Sequence, residues 1–294
     1  MKNIFLTGST GFIGKNLVKT LIKKYSITTL IQFESDKSKL PEKVKSIVYN
    51  KDDISNINKC FHDTEFDGVI HLASLFLKDH NLDQIPGLIE SNILLGTQIL
   101  EISSQYNVKW FINTGTFWQH YNNEKYNPVN LYAATKQAFE DIAKYYIERT
   151  SLKFVTLKLS DTFGPNDTRP KIFNLWDRIA KTGEKLEMSP GEQIIDISHI
   201  DNVVAAYLRL VEILEKDVLD IRGKSFALKS NRRYILKELA NLYEKYSGKK
   251  LNIEWGARSY REREVMIPWE NGEEIPGYEE KVSVEEGINK FIKR

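Results

Sequence analysis

The chain has 294 residues, 41% of them hydrophobic and 28% charged, with a formal net charge of +2. That is length for one large domain, or one with a smaller lobe, and enough apolar residues for a sizeable core. Charges of both signs are interspersed, which speaks against a nucleic-acid polymer or an acidic membrane as partner; a single cysteine, Cys60, excludes a disulfide framework or a thiolate metal cluster within the chain. No apolar run approaches the roughly 20 residues that span a bilayer. Met1 and Lys2 lead directly into a glycine-bearing segment without the apolar core of a signal peptide, so a cytoplasmic protein is expected.

Residues 3–7 (NIFLT) read as a strand, and Leu17, Val18, Leu21 and Ile22 recur at helical spacing over 15–24. SITTLIQ (26–32) and SIVYN (46–50) are strand-like, the first rich in β-branched residues. A short polar helix is expected around 54–62 and a fourth strand at DGVIHLA (67–73). A helix over 86–106 is expected to turn Ile89, Ile93, Leu94, Thr97, Leu100 and Ile102 inward. VKWFINTG (108–115) is a fifth strand, 131–149 a long helix and KFVTLKLSD (153–161) a sixth strand. Strands alternating with helices predict an α/β fold with a Rossmann-type doubly wound parallel sheet. Beyond Asp161 the pattern changes. GPNDTRP (164–170) is turn-rich, helices are expected over 171–182, 202–215 and 234–247, SFAL (225–228) and LNIEW (251–255) are strand-like, and a polar stretch completes the chain. The expected division is a dinucleotide-binding domain over 1–165, with returning segments near 195–228, and a smaller, mostly substrate-binding lobe over 166–294.

Gly8, Gly11 and Gly14 form GxxGxxG between the first strand and the first helix. Gly8 permits the tight turn, Gly11 lets the backbone approach a pyrophosphate, and Gly14 lets helix and strand pack closely. Ser9, Thr10, Phe12 and Ile13 complete the loop. The helix N-terminus offers an anion free N–H groups and the positive end of the dipole. An NAD site usually ends its second strand on a carboxylate that holds the ribose 2′-hydroxyl. Here that position is Gln32, with Glu34 two residues on and Lys37 and Lys39 beyond. A neutral Gln does not repel a 2′-phosphate and the lysines attract one, so the pattern leans toward NADP, with NAD as the alternative. Lys37 and Lys39 also read as ordinary solvated loop charges.

Tyr132 and Lys136, at i and i+4, fall on one helical face. A phenol titrates at about 10 and is a poor acid or base at neutral pH, but a nearby ammonium favours the phenolate and lowers that value. Thr114 ends the fifth strand and suits a substrate oxygen, because ligands of open α/β sheets sit beyond that edge. Tyr-x-x-x-Lys alone is common in helices; the upstream hydroxyl and the N-terminal glycines make it specific.

On these residues the chain resembles an extended short-chain dehydrogenase/reductase, in the branch that modifies nucleotide-linked sugars (the NAD-dependent epimerase/dehydratase type). TGSTGFIG resembles the family glycine motif, Asp53-Ile54 the pair that contacts adenine, and His71-Leu72-Ala73-Ser74 the segment along the cofactor. Asn92, in SNILLGT, resembles the asparagine behind the active site, and Thr114, Tyr132 and Lys136 the catalytic trio. DTFGP (161–165) resembles the segment before the substrate lobe, and PGEQIIDISHIDNVVAAY the stretch before a returning helix. YREREV (260–265) resembles the place where the family sets an arginine on the nucleotide diphosphate and an acid on the ribose, which implies Arg261 and Glu264. Arg169 and Lys171 are further cationic candidates, and Thr116 and Asp161 complete the substrate side. Arginine suits a diphosphate because its planar fork donates two bonds at once. Arg258, Arg261 and Arg263 also read as a solvated charge run.

The departures narrow the chemistry. Sugar dehydratases of this family follow the Thr with an Asp-Glu pair; Gly115 and Thr116 stand there, so elimination has no evident acid and base. Epimerase-reductases that invert carbons beside a ketone use a Cys and a His. Cys60 lies in the wrong region, and His120 alone reads equally as a rim histidine. Hydride transfer with one proton remains. TGTFWQHYNNEKYNPVNLYAATKQAFE and FGPNDTRPK resemble the 4-ketoreductases of deoxyhexose pathways (CDP-abequose and paratose synthase-like). The resemblance implies NADPH-dependent reduction of the C4 ketone of a nucleotide-linked 4-keto-6-deoxy sugar, with Thr114 and Tyr132 on the carbonyl and Tyr132 as proton donor. An NAD-dependent 4-epimerase or 4-dehydrogenase is the alternative, and a non-catalytic, cofactor-sensing Rossmann protein a remote one. The family likeness also implies a homodimer through the helices at 86–106 and 131–149. Phe117-Trp118 and Phe163 read either as pocket wall or as core, His199 and Asp201 as structural, and His62, Asp63 and His80 make no metal set.

Overall fold

The computed structural model describes residues 1–293. Strands β1 (Asn3–Thr7), β2 (Ser26–Ile31), β3 (Lys45–Val48), β4 (Gly68–His71), β5 (Trp110–Thr116) and β6 (Lys153–Leu159) alternate with helices α1 (Phe12–Leu21), α2 (Ser55–Asp63), α3 (Ile85–Ile89), α4 (Leu95–Gln105) and α5 (Leu131–Arg149). Then follow β7 (Asp161–Phe163), α6 (Ile172–Thr182), β8 (Leu186–Met188), β9 (Ile194–Ile195), β10 (Ile197–His199), α7 (Ile200–Lys216), β11 (Ser225–Leu228), β12 (Tyr234–Ile235), α8 (Leu236–Ser247), β13 (Ile253–Trp255) and α9 (Val284–Ile292). The central sheet has seven strands in the order β11-β6-β5-β4-β1-β2-β3. Every pair in it is parallel, so the fold is the Rossmann-type α/β sheet that the alternating pattern predicts. Three two-stranded sheets, β10–β7, β12–β9 and β13–β8, lie outside it.

Successive residues of a strand point to opposite faces. Ile4, Leu6, Ile70, Ile112, Val155 and Leu157 therefore share one core with α1 and α7, centred on Leu17, Val203, Tyr207 and Leu210. Phe5, Val69, Phe111 and Phe154 point the other way, against Ile57 of α2, Ile99 of α4 and Phe139 of α5. Burial on both faces explains the near-continuous apolar runs of the strands, and each such side chain contributes about 1.5–3 kcal/mol. A third core joins Phe163 of β7, Trp176 of α6, Leu239 and Tyr243 of α8, and Phe291 of α9. β1 lies between β4 and β2, so the chain order reverses at the β1/β4 crevice, where such sheets bind ligands.

The expected helix over 86–106 is present with one change. A π-helical turn, Glu90–Leu94, separates α3 from α4. Ile89 and Leu94 are 40% and 37% exposed rather than inward, and the buried stripe runs through Leu88, Asn92, Leu95 and Ile99 instead. The C-terminal stretch read as polar contains α9, capped by Ser283 and Glu286 and anchored by Val284, Ile288 and Phe291. No helix among the described residues is long and apolar enough to cross a membrane.

Candidate active site

The glycine loop closes the C-terminal end of β1. Gly8 has φ +76°, and a Cβ on it would stand 2.7 Å from Ala73 N and 2.8 Å from Leu72 C. A Cβ on Gly14 would stand 2.1 Å from Gly8 O, so α1 lies directly on the turn. Gly11 is the N-cap of α1 and supplies no side-chain cap, which leaves the first N–H groups of the helix free for an anion. Ser9 is buried with its hydroxyl 2.6 Å from Thr29 Oγ1. Phe12 and Ile13 pack against the first core. In front of the loop lies a cavity of about 230 Å³ lined by Gly8, Thr10, Gly11, Gln32, Ala73 and Ser74, together with Leu72 and Ser35. No carboxylate lines it. Asp53 lies outside this lining, exposed, and accepts the Ser55 N–H at 2.9 Å at the start of α2. Ile54 packs on the second core.

Asn130 caps α5 by accepting the Ala133 N–H at 3.0 Å, and its amide donates to Leu77 O and Lys78 O at 3.2 and 2.9 Å. These bonds tie the start of α5 to the loop after β4. Tyr132, half-buried, sits in this first turn, with its ring edge-on to Phe76 at 5.0 Å. Lys136, one turn on, is 2% exposed. Asn92 uses all four hydrogen-bonding positions of its amide. It accepts from Ser74 Oγ (3.0 Å) and Leu75 N (2.8 Å), and donates to Leu75 O (3.0 Å) and Thr135 Oγ1 (3.0 Å). It therefore stitches the segment after β4 to α5.

Burial pushes the Tyr132 phenol up to about 12, and the neighbouring Ser74 hydroxyl opposes this in part. Desolvation, and not the lowering by Lys136 expected from the sequence, sets the direction, and the phenol keeps its proton at neutral pH. Burial pulls the Lys136 ammonium down to about 8, against the attraction of Glu140. His71 is held down to about 3 by burial and then by the Lys136 charge, so it faces Lys136 as a neutral ring. The charged neighbour that keeps Lys136 protonated is Glu140, and the charge is present below about pH 8 and lost above it. Any turnover that needs this ammonium is expected to fall as pH rises through about 8; a kcat/KM profile level to pH 10 would contradict that assignment.

Thr114 donates its only proton to His71 O at 2.9 Å. The Tyr207 hydroxyl, 2.7 Å away, is therefore the donor to Thr114 Oγ1. Tyr207 comes from α7 and was not among the expected site residues. Thr114 must turn its proton away from His71 to donate to a ligand.

A second cavity of about 90 Å³ collects Trp118, Asp161, Arg261, Arg263 and Glu264, with Val129 and Pro268. Arg261 Nε stands 3.9 Å from Glu264 Oε2. Lys171 bonds Asp161 Oδ1 at 3.0 Å and lies 4.9 Å from the Phe76 ring centre. Arg263 is no solvated charge, since it bonds Asn127 and stacks over Tyr121. Arg169 is placed elsewhere. Asp167 takes its Nε and Nη2 at 2.8 Å each, Thr162 takes Nη2 again, and the guanidinium covers Phe12 beside the glycine loop. Thr116 is nearly buried and caps the turn Phe117–Gln119. Trp118 joins the cavity wall, whereas Phe163 is core. His199 is buried and accepts the Asp201 N–H, as a structural pair should. His120 is not a rim histidine. It is buried, stacked 3.8 Å from Trp269, and accepts from Lys158 Nζ at 2.9 Å. Burial and the Lys158 charge hold it neutral. Lys158 is 4% exposed, and its carboxylate partner is Glu140 at 3.4 Å. Glu140→Ala strands that ammonium and is expected to cost about 3–5 kcal/mol, read as a lower urea midpoint; a midpoint equal to the parent's would refute the pairing. Among the described residues no group of three His, Cys, Asp or Glu can hold a metal.

A parallel sheet, a glycine cradle at its crevice and a Tyr-x-x-x-Lys helix beside it define a dinucleotide-dependent enzyme class. The chain belongs to the NAD dependent epimerase/dehydratase family, which it matches over residues 4–221. It is similar to the CDP-abequose synthase of Salmonella muenchen, with 27% identity over 297 residues covering 99% of this chain and 97% of that protein. The CDP-abequose synthase of Yersinia pseudotuberculosis is 26% identical over 90% of this chain and 91% of its own length. The same fold is seen in the UDP-glucuronic acid 4-epimerase of Bacillus cereus in complex with UDP-glucuronic acid and NAD (TM-score 0.85, 20% identity, 99% of this chain and 98% of that one).

Proposed function

We propose that the protein reduces the C4 ketone of a nucleotide-linked 4-keto-6-deoxy sugar, using NADPH, with Tyr132 as the proton donor. The observation that carries this reading is the set of neighbours of Tyr132, which reaches both cavities. Ser74, beside its hydroxyl, lines the first, while Phe76, against its ring, meets Trp118 of the second. The first cavity fits a dinucleotide, because side chains at Gly8 and Gly14 would collide with backbone there and the start of α1 is uncapped.

When bound, the reduced nicotinamide supplies a hydride. The chain's own residues do the rest. Tyr132, protonated at neutral pH, gives its proton to the oxygen at C4. The Lys136 ammonium stabilises the phenolate left behind. Thr114 holds the same oxygen once its hydroxyl turns from His71, and Tyr207 stays bonded to it. The loop from Gly8 to Gly14, Gln32 and Leu72 to Ser74 bind the dinucleotide, with Asp53 and Ile54 at the adenine end and Asn92 holding Ser74 in place. The lining of the first cavity holds no carboxylate, which supports NADP over NAD. Arg261 takes the diphosphate and Glu264 the ribose, with Asp161 and Lys171 on the sugar side. In this division 1–165 and the returning segments near 195–228 serve the cofactor, and most of 166–294 serves the nucleotide sugar. We also propose a cytoplasmic homodimer joined through the helical segment 86–106 and α5.

The test is an NADPH-oxidation screen over CDP-, dTDP- and GDP-linked 4-keto-6-deoxy sugars, with product stereochemistry read by NMR. Oxidation with at least one is expected. Activity with none would overturn the reading, and tightly held nicotinamide with turnover in the absence of added cofactor would identify a 4-epimerase instead.

A further inference from the structure

We infer that Tyr207 is a positioning residue for the reduction: its phenol anchors the Thr114 oxygen while the Thr114 proton turns from His71 O to the sugar oxygen at C4. This inference rests on the reading of the site given above. Tyr207 is fully buried on α7, in the first core with Val203 and Leu210. A phenol shut away from water needs a partner in the protein. The Thr114 hydroxyl, 2.7 Å away, is that partner. Burial raises the Tyr207 phenol well above its ordinary range, the bond to Thr114 opposes this in part, and a negative charge on Tyr132 raises it further. Tyr207 therefore keeps its proton, and so stays a donor, even after Tyr132 has given its own away.

A threonine hydroxyl has one proton and two lone pairs. In the resting site the Thr114 proton lies on His71 O at 2.9 Å, and one lone pair takes the Tyr207 proton. To hold the oxygen at C4, the Thr114 proton must leave His71. Among the described residues no other group bonds this hydroxyl, so without Tyr207 that turn would release it from the protein altogether. A released threonine samples its other staggered rotamers. With Tyr207 in place one bond lasts through the reaction, and the rigid, packed α7 fixes where the Thr114 oxygen stands. Donation into that oxygen also makes its own O–H a stronger donor, because hydrogen bonds in a chain polarise one another. The benefit is greatest where charge develops on the C4 oxygen. It therefore falls on the transition state more than on the bound ketone.

The experiment is a double-mutant cycle of Tyr207→Phe and Thr114→Val, with kcat and KM read for NADPH-dependent reduction of a nucleotide-linked 4-keto-6-deoxy sugar and the thermal midpoint read beside them. Each substitution removes a hydroxyl and keeps the shape of the side chain. Tyr207→Phe alone should lower kcat by about 10-fold, the scale of one neutral hydrogen bond, with KM near the parent's. Thr114→Val alone should lower it by about 100-fold, the scale of one lost donor to a developing oxyanion. In the Thr114→Val background nothing is left to anchor, so adding Tyr207→Phe should change kcat by less than about 2-fold. It should not lower the thermal midpoint there either, because the phenol has already lost its acceptor. A merely structural Tyr207 would cost kcat equally in both backgrounds. That result, or a Tyr207→Phe protein with the parent's kcat, would overturn the inference. The unaltered protein separates the two claims. If it reduces a 4-keto sugar but the cycle shows no coupling, only the role of Tyr207 fails; if it reduces none, the reading of the site fails with it.

Discussion

Tyr132→Phe is expected to lower kcat for ketone reduction by about 10³-fold, the scale of a lost general acid. The substitution removes one oxygen and nothing that holds α5. Asn130 still caps the helix, Thr135 still donates to the main-chain carbonyl of residue 132, and a Phe ring still meets Phe76 edge-on. NADPH affinity and the thermal midpoint should therefore stay near the parent's, which separates a chemical loss from a structural one. Steady-state kinetics with a 4-keto nucleotide sugar and a cofactor titration read both quantities. Reduction by the variant at the parent rate would show that the proton comes from another group.

The second large effect belongs to Gly14→Ala. The new Cβ would meet Gly8 O at 2.1 Å and Ser9 Cα at 2.7 Å. Both are backbone atoms, so no flexible side chain can yield, and α1 must shift away from the turn. Alanine's better helix propensity returns about 1 kcal/mol, while overpacking of this kind costs about 1–3 kcal/mol. The larger loss falls on cofactor binding, because the free N–H groups of α1 move from their anion. NADPH affinity is expected to fall by about 100-fold or more, since misplacing a charge-bearing contact costs several hydrogen bonds together. Gly11→Ala is the control. Its Cβ would meet only Gly8 O, at 3.3 Å, so the fold should be kept and any loss should appear in NADPH affinity alone. Fluorescence titration and thermal melts distinguish the cases; a Gly14→Ala protein that binds NADPH like the parent would refute the cradle.

What the sequence disclosed follows from the range of the forces involved. The strands stand out as apolar, often β-branched runs, and α5 occupies the residues expected of it, so both were legible from neighbours in sequence. The outward turn of Ile89 and Leu94 was not, because the buried stripe of Leu88, Asn92, Leu95 and Ile99 contains an asparagine whose partners lie far along the chain. α9 was hidden by the polar residues on its exposed side, although Ser283 and Glu286 offered a capping-box signal. The paired positions of Tyr132 and Lys136 were visible because both lie on one helix. The partner of Thr114 was not, because Tyr207 lies 93 positions away and no local pattern links them. Arg169 looked available as a cation, yet Asp167, two residues before it, already holds the guanidinium. The phenol's titration was misjudged for a related reason. Spacing reveals the neighbouring ammonium, but only packing reveals how much water is removed.

In the proposed reaction a hydride and a proton meet the sugar at C4. The most direct measurement uses NADPH carrying deuterium at the transferable nicotinamide position, a nucleotide-linked 4-keto-6-deoxy sugar, and NMR of the product. Deuterium is expected on C4 of the sugar in proportion to NADPH consumed, and almost none with Tyr132→Phe. Sugar turned over with no deuterium at C4 would contradict it.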